Sequence, residues 1–220
     1  MSLRQKLLAE GLGTALLLAV IVGSGIMAQR LANGNEALML LANSTATGAG
    51  LLVLSAALSP VSGAHFNPLV SLMMCVRGDL AWTALPGYVI VQFVGAVLGV
   101  FATHVMFGRP ILEIATKVRP GWPLAWSELI ATFGLLLVIH HTSLKRPESL
   151  PAAVGGYIAA AYWFTSSTSF ANPAVALARA FTDTFTGISP GNLPAYVAGE
   201  CAGALLFLIY LRGLTWRAAS

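Results

Sequence analysis

The sequence predicts an all-α membrane protein: six transmembrane helices plus two re-entrant half-helices, arranged as inverted three-helix repeats. Three observations carry this. The 220-residue chain is 57% hydrophobic and only 9% charged, where a soluble domain carries about 25% charged residues. Its apolar residues fall into six long stretches, and Asn-Pro recurs at matching places in the two halves. So few charges cannot solvate a globular surface, but they can cap a bundle at the two faces of a bilayer. The net charge of +4 is spread over loops and termini without a basic run, which leaves nucleic-acid binding without support. Cys75 and Cys201 stand in apolar surroundings with no metal-ligand spacing, so they read as small core residues and no cofactor is expected.

The spans run, in order, over Leu7–Met27, Ala37–Leu58, Trp82–Phe107, Leu124–Ser143, Leu150–Phe170 and Leu193–Leu211. Each approaches the ~20 residues that a helix needs to cross about 30 Å of hydrocarbon. Lipid offers no partner to backbone N–H and C=O groups, so these stretches must be helical. The first is too long for a cleavable signal and continues as a span. The connections carry turn chemistry: Asn33-Gly34-Asn35, Arg109-Pro110, Arg119-Pro120-Gly121, Lys145-Arg146-Pro147 and Ser189-Pro190-Gly191.

The half-helices follow the second and fifth spans. Pro suits the first position of a helix and Asn the cap before it. Pro68 and Pro173 therefore open short helices, capped by Asn67 and Asn172 and ending near Arg77 and Phe181. Ten residues rise about 15 Å, half a bilayer. Entering from opposite faces, the two would meet at the midplane and together act as a seventh span.

The whole chain reads as one domain with internal repeats at approximately 1–116 and 117–220. Glu10-x-x-x-Thr14 opens the first span and Glu128-x-x-x-Thr132 the fourth; Gly95-Ala96 lies in the third and Gly203-Ala204 in the sixth. Three spans per copy invert one copy relative to the other. Gly95-x-x-x-Gly99 and Gly199-x-x-x-Gly203 predict close helix contacts. Glu200 and Gln92 each stand three residues before Gly-Ala, which suggests a shared structural place. Six spans put both termini on one face, with Arg4, Lys6, Arg77, Lys145, Arg146, Arg212 and Arg217. Arg30, Arg109, Lys117, Arg119 and Arg179 fall on the other. The sign of that bias puts the termini in the cytoplasm of a plasma (inner) membrane protein.

Ser62-Gly63-Ala64-His65-Phe66-Asn67-Pro68 and Asn172-Pro173-Ala174, with the paired Glu-x-x-x-Thr, resemble the aquaporin (major intrinsic protein) family over essentially the whole chain. The resemblance implies a right-handed bundle, a pore in each subunit and a homotetramer in the lipid bilayer. Asn172 to Arg179, with Asp183, resembles aquaporins associated with bacterial arsenic resistance.

Physics supports a neutral-solute pore. A half-helix N-terminus carries about +0.5 charge and free N–H groups, so two of them repel cations and protons at the midplane. Asn67, Pro68, Leu69, Asn172, Pro173 and Ala174 are the expected pore centre, with both Asn amides able to donate to a passing oxygen. His65 is expected at the cytoplasmic vestibule, against a purely structural place. His140 and His141 close the fourth span and read as interfacial. Glu10 and Glu128 are carboxyl groups within apolar spans. They could relay protons or accept hydrogen bonds from re-entrant backbone, and the resemblance implies the second.

The departures from the family pattern concern selectivity. Water-selective and glycerol-type members usually place Arg directly after the second Asn-Pro-Ala, where this chain has Val175, and Leu69 replaces Ala in the first motif. Counting back twenty residues from Asn67 gives Thr47; counting back twelve and three from Asn172 gives Ala160 and Ser169. Thr47, Ala160, Ser169 and Val175 predict a wide, uncharged constriction passing small neutral solutes: glycerol, urea, undissociated arsenous acid. A strict water channel, a structural junction protein and a secondary transporter are the alternatives. The transporter lacks a coupling Asp or Arg pair at the midplane, and an enzyme lacks any Ser/His, His/Glu or paired-Asp arrangement.

Overall fold

The structure, a computed structural model, describes residues 1–218, with side chains through residue 213; the side chain of Arg217, counted above on the terminal face, lies outside them. Among the described residues eight α-helices follow in order: α1 (Leu3–Leu31), α2 (Glu36–Ser62), α3 (Pro68–Arg77), α4 (Leu85–Met106), α5 (Trp122–Lys145), α6 (Leu150–Phe164), α7 (Pro173–Ala178) and α8 (Leu193–Ala218). Five of them are long and apolar enough to cross a membrane: α1, α2, α4, α5 and α8, the last together with the 3-10 turn before it.

Local chemistry sets the ends. Ser2 and Gln5 form a capping box on α1, which carries that helix beyond its apolar stretch. Asn35 caps α2, its side chain accepting from the Leu38 N–H at 3.0 Å. Gly63 (φ 94°) and Gly78 (φ 84°) end α2 and α3 in the left-handed region that glycine adopts without strain. The fifth span differs from the expectation. Its helix stops at Phe164, 15 residues long, rather than at Phe170. Residues 165–171 are needed as an irregular approach that brings Asn172 back into the bundle, and Thr168, Ser169 and Ala171 adopt positive φ there.

The two halves pack alike. A Cβ on Gly95 would lie 2.3 Å from the Gly11 carbonyl oxygen, and one on Gly203 would lie 2.4 Å from that of Leu129. Third and first spans of each half thus touch backbone to backbone. Gly48 and Gly155 do the same between α2 and α6, where a Cβ on Gly155 would stand 2.5 Å from the Gly48 carbonyl oxygen. Outward faces carry exposed Leu8, Leu12, Val94, Leu98, Leu205 and Ile209, as a lipid-facing surface requires. Cys75 is buried as expected, but Cys201 is exposed. It lies two residues, about 200° of helix, from the Gly199 and Gly203 contact face.

On the face away from the termini, the loop after α4 is fastened to the loop after α7. Asp183 accepts from the Thr116 N–H at 2.8 Å and the Thr116 hydroxyl at 2.9 Å. Two backbone bonds join the same segments, Ala115 N–H to Ala180 O at 2.9 Å and Ser189 N–H to Lys117 O at 2.8 Å. His104, fully buried, bridges Ile111 O and the Thr182 hydroxyl. The Thr116 bonds hold the Asp183 carboxyl below its ordinary range.

Candidate permeation path

α3 and α7 meet at their N-termini, and each cap residue holds the backbone carbonyl just before the other. Asn67 Nδ2 donates to Ala171 O at 2.7 Å, and Asn172 Nδ2 donates to Phe66 O at 2.8 Å. Each Oδ1 caps its own helix, Asn67 accepting from Leu69 N–H at 2.9 Å and Asn172 from Ala174 N–H at 3.0 Å. An amide carries two N–H donors, so each Asn keeps a second beyond the cross-link.

Phe66 and Ala171, the residues just before the caps, both sit at φ 48°. A non-glycine residue there costs about 1–2 kcal/mol. The buried acids hold them. Glu10 accepts from His65 N–H at 2.9 Å, Phe66 N–H at 2.8 Å and the Ser62 hydroxyl at 2.7 Å. Glu128 accepts from Phe170 N–H at 2.9 Å and Ala171 N–H at 2.6 Å. Two or three hydrogen bonds, each worth about 0.5–1.5 kcal/mol net, match that strain. This geometry favours the backbone-acceptor reading of Glu10 and Glu128 over a relay. Gln92 Nε2 donates to Glu10 Oε2 at 2.9 Å, while Glu200 Oε1 accepts from Asn172 N–H at 3.0 Å.

A cavity of ≈ 680 Å³ runs from the terminal face past the Asn pair. Lys6, Arg77 and Asp79 stand at its mouth, and His65, Asn67, Val70, Asn172, Val175, Thr47 and Ser169 line its course. His65 lies on this wall, its Nδ1 paired with the Ser71 hydroxyl at 3.0 Å. His140 is buried and His141 exposed.

Three expectations need correction. Pro68, Leu69, Pro173 and Ala174 are buried and do not line the cavity. Leu69 packs into the apolar core, and Val70 and Val175, each three residues after its Asn, are the lining positions instead. Ala160 is exposed on the outer side of α6. Two residues to either side, about 200° around the helix, Ile158 and Tyr162 face the cavity, with Tyr162 OH donating to Thr47 Oγ1 at 3.3 Å. The inward pair at i and i+4 was the signal that counting from Asn172 missed. Third, the far end of the path is not uncharged, because Arg179 borders it.

Beyond Arg179 lies a second cavity of ≈ 360 Å³, lined by Glu36, Asn43, Lys117, Arg119, Trp163 and Phe185 among others. Lys117 Nζ donates to Phe185 O at 3.0 Å and Arg119 Nε to Gly187 O at 3.0 Å. Burial, and then the neighbouring Arg119 and Arg179, lower the Lys117 pKa to about 8.

Two antiparallel half-helices capped tip to tip, inside a bundle of paired three-span halves, define a membrane channel of the aquaporin type. The chain belongs to the major intrinsic protein family, whose model matches residues 1–161; it is a channel rather than an enzyme. It is 52% identical over 213 residues to aquaglyceroporin AqpS of Rhizobium meliloti, covering 96% of this chain and 91% of that one. It is 30% identical over 211 residues to maize aquaporin NIP2-3, covering 92% of this chain and 67% of the relative. The X-ray structure of the aquaglyceroporin from Plasmodium falciparum superposes with a TM-score of 0.69 at 21% identity, covering 94% of each chain, which supports the fold.

Proposed function

We propose that the chain, as a single domain, is a passive channel for small uncharged solutes, wide enough for polyols such as glycerol as well as water. The reading rests on one observation: Asn67 and Asn172 cap opposed half-helices and cross-bond beside a ≈ 680 Å³ cavity. Two helix N-termini there favour neutral solutes over cations. Val175, not a longer polar side chain, lines the wall one turn from Asn172, which leaves room for a solute with several hydroxyls. The name of the Rhizobium meliloti relative supports polyol passage. Undissociated arsenous acid is a compact neutral hydroxide of the same kind. The expected setting is a homotetramer in the plasma (inner) membrane, with both termini cytoplasmic.

Stopped-flow light scattering on proteoliposomes tests this. Water, glycerol, urea and arsenous acid should each equilibrate faster than in empty liposomes, with no matching sodium or proton current. A sodium or proton flux comparable with that of the solutes would refute the reading.

A further inference from the structure

We propose that Arg179 is the charge gate of the path: its guanidinium is the constriction where the inner cavity gives way to the vestibule opposite the termini. The proposal rests on the channel reading above.

Four observations place it there. Arg179 follows α7, and its N–H bonds back to Val175 O, so it stands one turn beyond the lining residue Val175. Its side chain, only 2% exposed, borders both cavities; among the described residues it is the only one that does. Its position is fixed on two sides. Nε donates to Thr186 O, and the guanidinium carbon lies 3.5 Å from the centroid of the Phe170 ring. Nη1 and Nη2 have no protein acceptor among the described residues, so four N–H donors stay available to a solute oxygen in the path.

This arrangement separates two tasks. A guanidinium is planar and fixed in its fork, so it orients neutral hydroxyls while repelling cations. Lys117 and Arg119 stand in the outer vestibule with it, and all three cations donate to carbonyls of the Phe185–Gly187 stretch. The inner cavity between the Asn pair and Arg179 then needs no charge of its own. Its walls there are Val175, Thr47, Ser169 and Tyr162. A merely structural Arg179 would serve only to anchor the 182–192 loop through Thr186 O.

The experiment compares wild type with Arg179→Ala and Arg179→Lys in proteoliposomes, reading sodium or potassium leak and the permeability of a four-carbon polyol, each relative to water. Arg179→Ala should raise both ratios at least tenfold. Arg179→Lys should restore cation exclusion but not polyol exclusion, because a point charge replaces the planar fork. An Arg179→Ala channel that is less thermostable but keeps both wild-type ratios would overturn the proposal in favour of the loop anchor. Should Arg179→Ala fail to assemble, Arg179→Cys in a Cys75→Ser/Cys201→Ser background decides. A cationic methanethiosulfonate should then lower solute flux if residue 179 lines the path; unchanged flux on confirmed labelling would refute it. If wild type itself conducts no neutral solute, the channel reading fails and this inference falls with it. If wild type conducts and the variant ratios do not move, only the role of Arg179 fails.

Discussion

Glu10→Gln and Glu200→Gln make the same chemical change in the two halves, yet they should differ sharply in cost. Glu10 uses both oxygens as acceptors: Oε1 takes the Ser62 hydroxyl and His65 N–H, and Oε2 takes Phe66 N–H and Gln92 Nε2. Glutamine keeps one oxygen and turns the other into a donor, so two buried donors lose their acceptor and face an N–H group. A buried donor left unsatisfied costs about 1–3 kcal/mol, which gives about 2–6 kcal/mol here, before any strain released at Phe66. Glu200 is different. Its Oε1 accepts from Asn172 N–H, and its Oε2 has no hydrogen-bond partner. Glutamine preserves the first and takes an acceptor away from no donor, its amide nitrogen replacing an oxygen that already has no partner. The first half already has glutamine in the corresponding place, where Gln92 donates to Glu10. At about 2–4 °C per kcal/mol for a chain of this size, Glu10→Gln should lower the unfolding midpoint in detergent by at least ~4 °C and reduce solute flux. Glu200→Gln should stay within about 0.5 kcal/mol of wild type. Size-exclusion thermal melts with stopped-flow flux on the same preparations would measure both. Equal destabilisation by the two substitutions would refute this account of the buried acids.

Two further outcomes are expected. Gly95→Ala should abolish assembly or lower the melting midpoint strongly, since its Cβ would meet the Gly11 carbonyl, whereas Gly156→Ala meets open space and should be neutral in the same melts. Lys117, its pKa lowered by burial to about 8 from an ordinary 10.5, binds fewer protons folded than unfolded between those values. Its contribution to stability should therefore rise with pH across that window, and melts of Lys117→Met should lack this rise.

The fold was legible because the signals were long or repeated. Apolar stretches, Asn-Pro pairs and the Gly-x-x-x-Gly spacing each depend on sequence neighbours alone. The end of α6 was not, because an apolar run does not tell helix from the irregular approach at 165–171 when both are buried. Site residues divide the same way. Asn67 and Asn172 follow from capping chemistry. Ala160 failed because counting from a motif assumes a helical register across seven residues that are not helical. In the sequence Arg179 counts as one of the loop cations, since a charge near a span end normally faces water; only the tertiary structure shows Phe170 and Thr186 holding it against the path.

The two halves repeat their scaffold and differ in their chemistry. Glu10 and Glu128 both hold re-entrant backbone, Phe66 and Ala171 share one left-handed conformation, and Val70 and Val175 both line the cavity. Counting the same seven residues on from each cap gives Met74 in the first half and Arg179 in the second, and both line the path. Two residues before the caps, His65 answers to Phe170, whose ring carries the Arg179 guanidinium. A symmetric scaffold thus fixes where the half-helices meet, and the side chains one turn further out are where the two halves differ. At the mouth by the termini Arg77 is paired with Asp79 at 2.9 Å, whereas Arg179, at the mouth away from the termini, makes no ion pair among the described residues. Solute direction still follows the gradient, because a gate that binds no energy source alters barriers without biasing them. Ion exclusion should therefore depend mainly on the second half, while the first half can change its lining side chains at smaller cost.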